Sequence, residues 1–563
     1  MRLRFALIAL LPALFSAGAI AQTEPPAAQA EPAKQEAKPE SKPAIPETPP
    51  EMKAFTDASR IMDPEKKIEA LEKWKKDYPD APNLSNADDE ILSTLIERLP
   101  DQRDRIRKLA KSMYQGAKPD QRSSMAFELA NTLLNGDTFL NDAEHYARIG
   151  VNSLNQAKYL DEQRKQAAAR KQKPPSDDVL IDRFRKQRAN RIATLGRVYF
   201  KMGRIDKAKP LLEEAYGVQQ ESTVVAAALG DIAFKAGDES KATEYLVQAV
   251  LSGRPAATAV AKPDLEAIYR KMHAGSLDGF GAMLDSEYRK RFPNPVKIEA
   301  YKPPEKRSNR LVLAEVFTGA GCPPCVGADL AFDAALERYP RTDLAVVMYH
   351  VHVPQPDPMT TAETPDLSKA YGVRGVPTYF IDGKMIGGGG GGRDFAERVY
   401  ERFNPTIEKE LEAPAEAKLT ATAALEGNAV KVKASASDIK SESKDLKVVA
   451  MLLEKQIRYS GENGIRFHSM VVRAIGEAPV SDAFEHTFDL DEVSASLHKS
   501  LDEYEAKGHR GKTFKFTDKK YQIDRGDLAV AVFLKDAKTE HVLQAAYIDL
   551  SAAPAEHRIT DSK

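Results

Sequence analysis

Hydrophobic and polar positions change period along the chain. From about residue 51 to 295 the apolar side chains fall at helical spacing. Between about 305 and 405 short apolar runs alternate with helical stretches. Residues 311–317 form an apolar run with a single acid, Glu315, which predicts a buried parallel strand. Thr318, Gly319, Ala320 and Gly321 break that run, and Cys322-Pro323-Pro324-Cys325 opens a helix reaching about Tyr339. A second strand is predicted over 344–353, and residues 372–380 enter a third. Asp382-Gly383 makes a hairpin turn, and a last helix starts near Asp394. From 415 to 550 the pattern reads as all-β. Residues 419–423 and 430–434 alternate on either side of a Gly427-Asn428 turn. Further strands are predicted at 446–453, 467–473, 484–490, 513–517, 528–534 and 542–550.

Part of the helical region repeats. Leu195, Gly196, Phe200, Lys201, Gly203, Lys207, Ala208, Leu212 and Ala215 recur, each 34 positions on, as Leu229, Gly230, Phe234, Lys235, Gly237, Lys241, Ala242, Leu246 and Ala249. That period and pattern resemble the tetratricopeptide repeat. Small Gly196 and Ala208 let two helices approach, while Phe200 and Leu212 fill the space between them. A looser copy falls at Phe127, Leu134, Gly136, Ala143 and Tyr146, and the run 62–78 suggests a further helix pair. The resemblance implies a concave surface for a protein or peptide; a helical spacer without a ligand is the alternative. The basic, polar stretch 156–173 reads as a solvated helix or loop.

The ends of the chain set a cellular expectation. Arg2 and Arg4 precede an apolar run over 5–15, and Ala19-Ile20-Ala21 supplies a small-x-small cleavage pattern. Residues 1–21 therefore read as a signal peptide, since the apolar run is too short to span a bilayer. Residues 22–50 are Ala, Pro, Glu, Lys and Gln with almost no large apolar side chain, and are expected to be a disordered, partly extended tether. The expected product is soluble, and periplasmic or secreted by a bacterium. Lys and Arg total 82 against 83 Asp and Glu, a net charge of -1, which gives no electrostatic reason for a nucleic-acid partner. The chain has two cysteines, Cys322 and Cys325. Two exclude a disulfide-stapled secreted scaffold, and a lone CxxC in an oxidising compartment points to redox chemistry.

The order strand, CxxC, helix, strand, Val376-Pro377 and hairpin resembles the thioredoxin fold, over about a hundred residues. A thiol acts as a nucleophile only as thiolate, with an unperturbed pKa of about 8.5. Cys322, at the mouth of a helix, faces unpaired N–H groups and the positive end of the helix dipole, both of which lower that value. Pro324 suits the first helical turn. Cys325, about one turn inside, is placed to resolve a mixed disulfide formed by Cys322. The resemblance further implies a cis Pro377 that turns the backbone of Val376 toward an extended substrate strand.

The departures from that family matter. Gly321 stands where thioredoxins usually carry tryptophan, leaving one wall of the site open. The position of thioredoxin's buried aspartate aligns with Val316. Glu315, one residue out of step on a strand whose side chains alternate faces, is carried as a candidate proton acceptor. A proline-rich insertion over 352–363 is expected to act as a lid or substrate-selecting loop. The hexaglycine run 387–392 lacks the Lys-Ser/Thr ending of a phosphate loop and reads as a flexible joint or bulge. His468, Arg473 and Trp74 read as packing or surface residues.

The whole predicts a multidomain chain: signal peptide 1–21, linker 22–50, a tetratricopeptide-like helical region over 51–300, a thioredoxin-like α/β domain over 305–408, an all-β immunoglobulin-like sandwich over 412–552 and a tail over 553–563. The expected activity is thiol–disulfide exchange through Cys322 and Cys325, with no cofactor beyond their disulfide. Pro324 before the second cysteine resembles the reducing thioredoxins, which favours reduction of disulfides in envelope proteins. Such a reductase needs a membrane-bound or soluble thiol electron donor. Two alternatives stand beside it. One is an envelope binding or assembly protein whose redox centre is idle. The other is a copper-binding thioredoxin-like chaperone using Cys322, Cys325, His350 and His352.

Overall fold

Helix-forming sequence from Pro50 to Arg291 builds a run of paired helices. This computed structural model describes residues 49–550 apart from 82, 83, 300, 304 and 482. The expected signal peptide, tail and all but the last two residues of the tether lie outside the described residues. The run begins with Pro50–Ser59 and Pro64–Asp77 and ends with Pro255–Met272 and Phe280–Arg291. The 34-residue repeat is a repeat of contacts. Gly196, in the helix Asp177–Lys201, faces Leu212 so closely that a Cβ there would stand 3.0 Å from the leucine. Gly230 meets Leu246 in the same way, at 2.5 Å. Ala208 and Ala242 are fully buried at matching positions. The basic stretch forms the helix Gln156–Ala169, which buries none of its residues. Trp74 packs on Phe55 and donates its indole N–H to the Glu51 carbonyl.

Eleven described strands follow. β1 (Val312–Thr318) and β2 (Leu344–His350) are parallel over seven residue pairs, flanking the helix Cys325–Arg338. β3 (Thr378–Ile381) runs antiparallel to β1, and β4 (Lys384–Gly388) completes a hairpin through Asp382 and Gly383. The helix Ala396–Glu412 covers this part of the sheet, stacking Phe403 on Phe332 of the helix Cys325–Arg338. The later strands are β5 (Lys418–Glu426), β6 (Ala429–Ser437), β7 (Leu446–Arg458), β8 (Phe467–Pro479), β9 (Phe484–Asp489), β10 (Leu528–Asp536) and β11 (Val542–Asp549).

The C-terminal strands do not close into a sandwich of their own. β8 pairs in parallel with β2 at Met348 and Val471, giving one eight-stranded mixed sheet in the order β11-β10-β7-β8-β2-β1-β3-β4. Only β5, β6 and β9 form a second layer, which packs Val430, Val432 and Phe488 against Val448, Leu452 and Val530. The physical reason lies in the side chains. β5 alternates half-buried and exposed positions, as a sheet with one wet face should. β10 is buried at every position from Leu528 to Lys535, so both of its faces need cover. One face of β7 and β10, carrying Val449, Met451, Ala529 and Phe533, joins the core that also holds Phe317 and Tyr349.

Two expected strands change as well. The strand predicted over 484–490 stops at Asp489, whose carboxylate caps the helix Leu490–Lys507 by accepting from the N–H groups of Asp491 and Glu492. Leu490, Val493, Leu497 and Leu501 give that helix one apolar face. Residues 513–517 form no strand.

Candidate functional site

The two cysteines form a disulfide where β1 hands over to the helix Cys325–Arg338. The Cys322 N–H donates to the Gly319 carbonyl and the Cys325 N–H to that of Cys322, a tight turn that starts the helix at Cys325. Pro324 is thus the N-cap residue rather than part of the first turn. Cys322 is 1% exposed and Cys325 0%, while Pro323 and Pro324 between them face solvent. The Val376–Pro377 bond is cis, and the Val376 carbonyl oxygen lies 3.7 Å from Cys322 Sγ. The structure therefore brings together Cys322, Cys325, Val376 and Pro377.

Three segments wrap this turn. The first is the hexaglycine run, which is a bound strap. The Gly391 N–H donates to the Pro324 carbonyl and the Gly391 carbonyl accepts from the Gly327 N–H, each at 2.9 Å. A helix leaves its first N–H groups without partners, and here the strap satisfies one of them. A Cβ on Gly390 would run into the Pro324 carbonyl, so the approach requires glycine at that position.

The second segment is the insertion 352–363, which enters through a cis Val353–Pro354 bond. Asp357 holds it down. Its carboxylate accepts from the Ala320 N–H at 2.6 Å and the Met359 N–H at 2.9 Å, and meets His350 Nδ1 at 2.9 Å. Burial pushes this carboxyl up. The His350 charge and hydrogen bond, with those two N–H groups, outweigh burial and hold it at about 2. Gln355 lies against Gly321, within 2.7 Å of where a Cβ would be. The wall expected to be open is filled by this insertion.

The third segment is the turn between β7 and β8. Asn463 donates its backbone N–H to the Ala320 carbonyl at 3.0 Å and its side-chain amide to the Gly319 carbonyl at 3.3 Å.

The buried carboxylate on the disulfide's own helix is Asp329, which sequence reasoning missed. It stands four residues after Cys325, hence on the same helix face. Thr318 donates its hydroxyl to Asp329 Oδ1 at 2.6 Å, and Oδ2 is buried without a partner among the described residues. Burial pushes this carboxyl up to about 7, against the Thr318 hydrogen bond and the His350 charge. A signal was available: an aspartate at the i+4 position of an otherwise apolar first turn.

Glu315 goes elsewhere. It is fully buried, accepts from Tyr349 at 2.9 Å and Tyr371 at 2.8 Å, and burial raises its pKa against the nearby Lys535 charge. Lys535 also donates to the Tyr371 hydroxyl. This cluster ties β1 to β10, and the candidate proton acceptor Glu315 is thereby committed to holding strands together. The histidines of the metal alternative also diverge. His350 is taken by Asp357, and His352 stacks on Tyr504 at 3.6 Å while its Nδ1 accepts from the Asp357 N–H. Burial lowers His352 to about 4. Among the described residues no three His, Cys, Asp or Glu gather as a metal site. His468 and Arg473 are buried; His468 meets the His350 ring edge-on, and Arg473 pairs with Glu454 at 2.8 Å.

No family model matches the chain, and no curated protein matches it. Among solved structures, HBP35 of Porphyromonas gingivalis is similar at 15% identity with a TM-score of 0.30, covering 46% of this chain and 82% of that one.

Proposed function

We propose that the chain is an exported thiol–disulfide oxidoreductase of thioredoxin-like type, working on disulfides of bacterial envelope proteins. The observation that carries the reading is the Cys322–Cys325 disulfide at a helix start, with the Val376 carbonyl 3.7 Å from Cys322 Sγ. Export rests on Arg2, Arg4 and the short apolar run after them, and no helix of the described residues is long and apolar enough to cross a membrane. The paired helices are read as tetratricopeptide-like, offering a surface to a protein or peptide. The layer of β5, β6 and β9, packed on β7 and β10 of the shared sheet, is read as a docking or spacing module.

In the dithiol form, the Cys322 thiolate attacks one sulfur of a substrate disulfide. The substrate S–S bond breaks, a mixed disulfide forms, and one substrate sulfur leaves as thiolate and takes a proton from water. Cys325 passes its proton to the Asp329 carboxylate and attacks Cys322 Sγ. The mixed disulfide breaks, and the second substrate sulfur leaves as thiolate and takes up a proton from water, while Asp329 gives the Cys325 proton back to solvent. Two electrons have moved from the chain to the substrate, and a thiol donor returns them by the reverse exchange. Pro324 favours the reducing direction. The test is a trap. Cys325→Ser retains the attacking sulfur without its resolver, and so should hold envelope proteins in mixed disulfides that a reducing agent releases. Cys322→Ser should hold none. Equal capture by both variants removes the enzyme reading.

The 1% exposure of Cys322 favours a second reading, a redox-idle envelope binding or assembly protein. Replacing both cysteines by serine separates the two. Unchanged partner binding and phenotype would support the second.

A further inference from the structure

The helix Phe280–Arg291 belongs to the helical array, yet its buried face grips two of the three segments that wrap the disulfide. Asp285, 4% exposed, pairs with Arg466 at 2.7 Å and with Arg458 at 2.6 Å. Those arginines flank the turn between β7 and β8. Arg466 also donates to Ser460 within the turn and to the Gly281 carbonyl of the helix. At its tip Asn463 holds the carbonyls of Gly319 and Ala320, the former also accepting from the Cys322 N–H. One turn along the helix, Tyr288 accepts from Arg393 at 3.1 Å, and its ring meets Phe467 edge-on at the base of β8. Arg393 also donates to the carbonyls of Phe292 and Pro293 just past the helix. Arg393 directly follows the glycine strap bound to Pro324 and Gly327.

We infer that Asp285 and Tyr288 are positioning residues for the disulfide, acting through the β7–β8 turn and the glycine strap. This inference deepens the oxidoreductase reading and rests on it. The physical argument is one of restraint. Reduction replaces a covalent S–S bond by two sulfurs in van der Waals contact, so the turn 319–324 must spread. Its carbonyls at 319, 320 and 324 are held by segments anchored to a helix outside the redox layer. An ion pair with both partners buried is lost at a large cost, which makes the Asp285 anchor firm. The restraint opposes spreading and so favours the oxidised form. Loosening it shifts the equilibrium toward the dithiol.

The experiment equilibrates the full chain with glutathione buffers and reads the dithiol fraction by alkylation and mass. Four proteins are compared: the parent, Asp285→Asn, Asn463→Ala and Lys290→Gln. Lys290 sits on the same helix with its side chain exposed, and serves as the control. Asn463→Ala removes the side-chain contact to the Gly319 carbonyl at the far end of the turn and leaves the pairs of Asp285 with Arg466 and Arg458 intact, so it remains informative where Asp285→Asn fails to fold. The expected result is a shift of about threefold or more toward the dithiol in both test variants and none in the control. A parent that exchanges with glutathione while Asn463→Ala keeps its equilibrium overturns the inference and leaves the oxidoreductase reading standing. A parent that exchanges at no glutathione ratio removes both.

Discussion

Asp329 stands one helical turn beyond Cys325, with the Thr318 hydroxyl on one carboxylate oxygen and no partner among the described residues on the other. A buried oxygen without a hydrogen bond is costly. In the proposed exchange this oxygen takes up the proton that the resolving thiol loses. Asp329→Asn preserves the shape and the Thr318 contact but removes the acceptor. It should slow resolution of the mixed disulfide by about 10- to 100-fold, leaving attack by Cys322 unchanged. Stopped-flow measurement of the two steps checks this; equal slowing of both contradicts it.

The same carboxyl makes a prediction about pH. Burial raises it from 3.8 to about 7, so between those values the folded chain keeps a proton that the unfolded chain has released. Stability therefore falls as pH rises through this window. Asp329→Asn should remove that dependence and be the more stable protein at pH 8, by a few kcal/mol at most. Urea unfolding at pH 5 and pH 8 decides; parallel curves for the two proteins count against it.

Asp357 carries the opposite sign. Its folded value, about 2, lies below the ordinary 3.8, so it contributes stability that is present above the unfolded value and lost as pH falls through about 2. Asp357→Asn should be destabilised near neutral pH by about 2 kcal/mol and should flatten the acid limb of stability between pH 4 and 2. It should also free the insertion from Ala320 and raise the alkylation rate of reduced Cys322. An unchanged rate would separate the insertion from access to the sulfur.

The glycine strap should tolerate no side chain at its point of closest approach. Gly390→Ala drives a methyl into the Pro324 carbonyl, and a forced shift of this kind costs about 1–3 kcal/mol. Thermal unfolding of the oxidised protein reads the loss. Alanine tolerated without a change in midpoint would mean that the strap yields freely.

Much of this site was legible in the sequence. The CxxC at a strand-to-helix break and the hairpin after Val376-Pro377 fall where the pattern of the chain puts them. What escaped was tertiary. Glu315 announces itself as the one acid in an apolar strand, but its alternation sends it to Tyr349, Tyr371 and the neighbourhood of Lys535, from strands and helices far along the chain. Asp329 shows only as the one acid in the apolar first turn after Cys325, and its pairing with Thr318 on β1 is tertiary. The fused sheet was encoded in a contrast. Residues 419–425 alternate while 528–534 are continuously apolar, which marks a strand buried on both faces. The helix Leu490–Lys507 was written in Leu490, Val493, Leu497 and Leu501, a helical period hidden by the strand that precedes it.

Glu315→Gln tests the division of labour between the two buried acids. It retains an acceptor for the two tyrosines and lacks contact with the cysteines, so exchange rates should stay within about twofold of the parent while Asp329→Asn falls. A loss equal to that of Asp329→Asn would return Glu315 to the redox site.

The reduction potential of the Cys322/Cys325 pair tests the central claim most directly, read by mass after equilibration and alkylation. A reductase of this kind should lie near about -270 mV. A value near about -120 mV would make it an oxidant that introduces disulfides, and a pair that resists reduction at every accessible potential would contradict the oxidoreductase account itself.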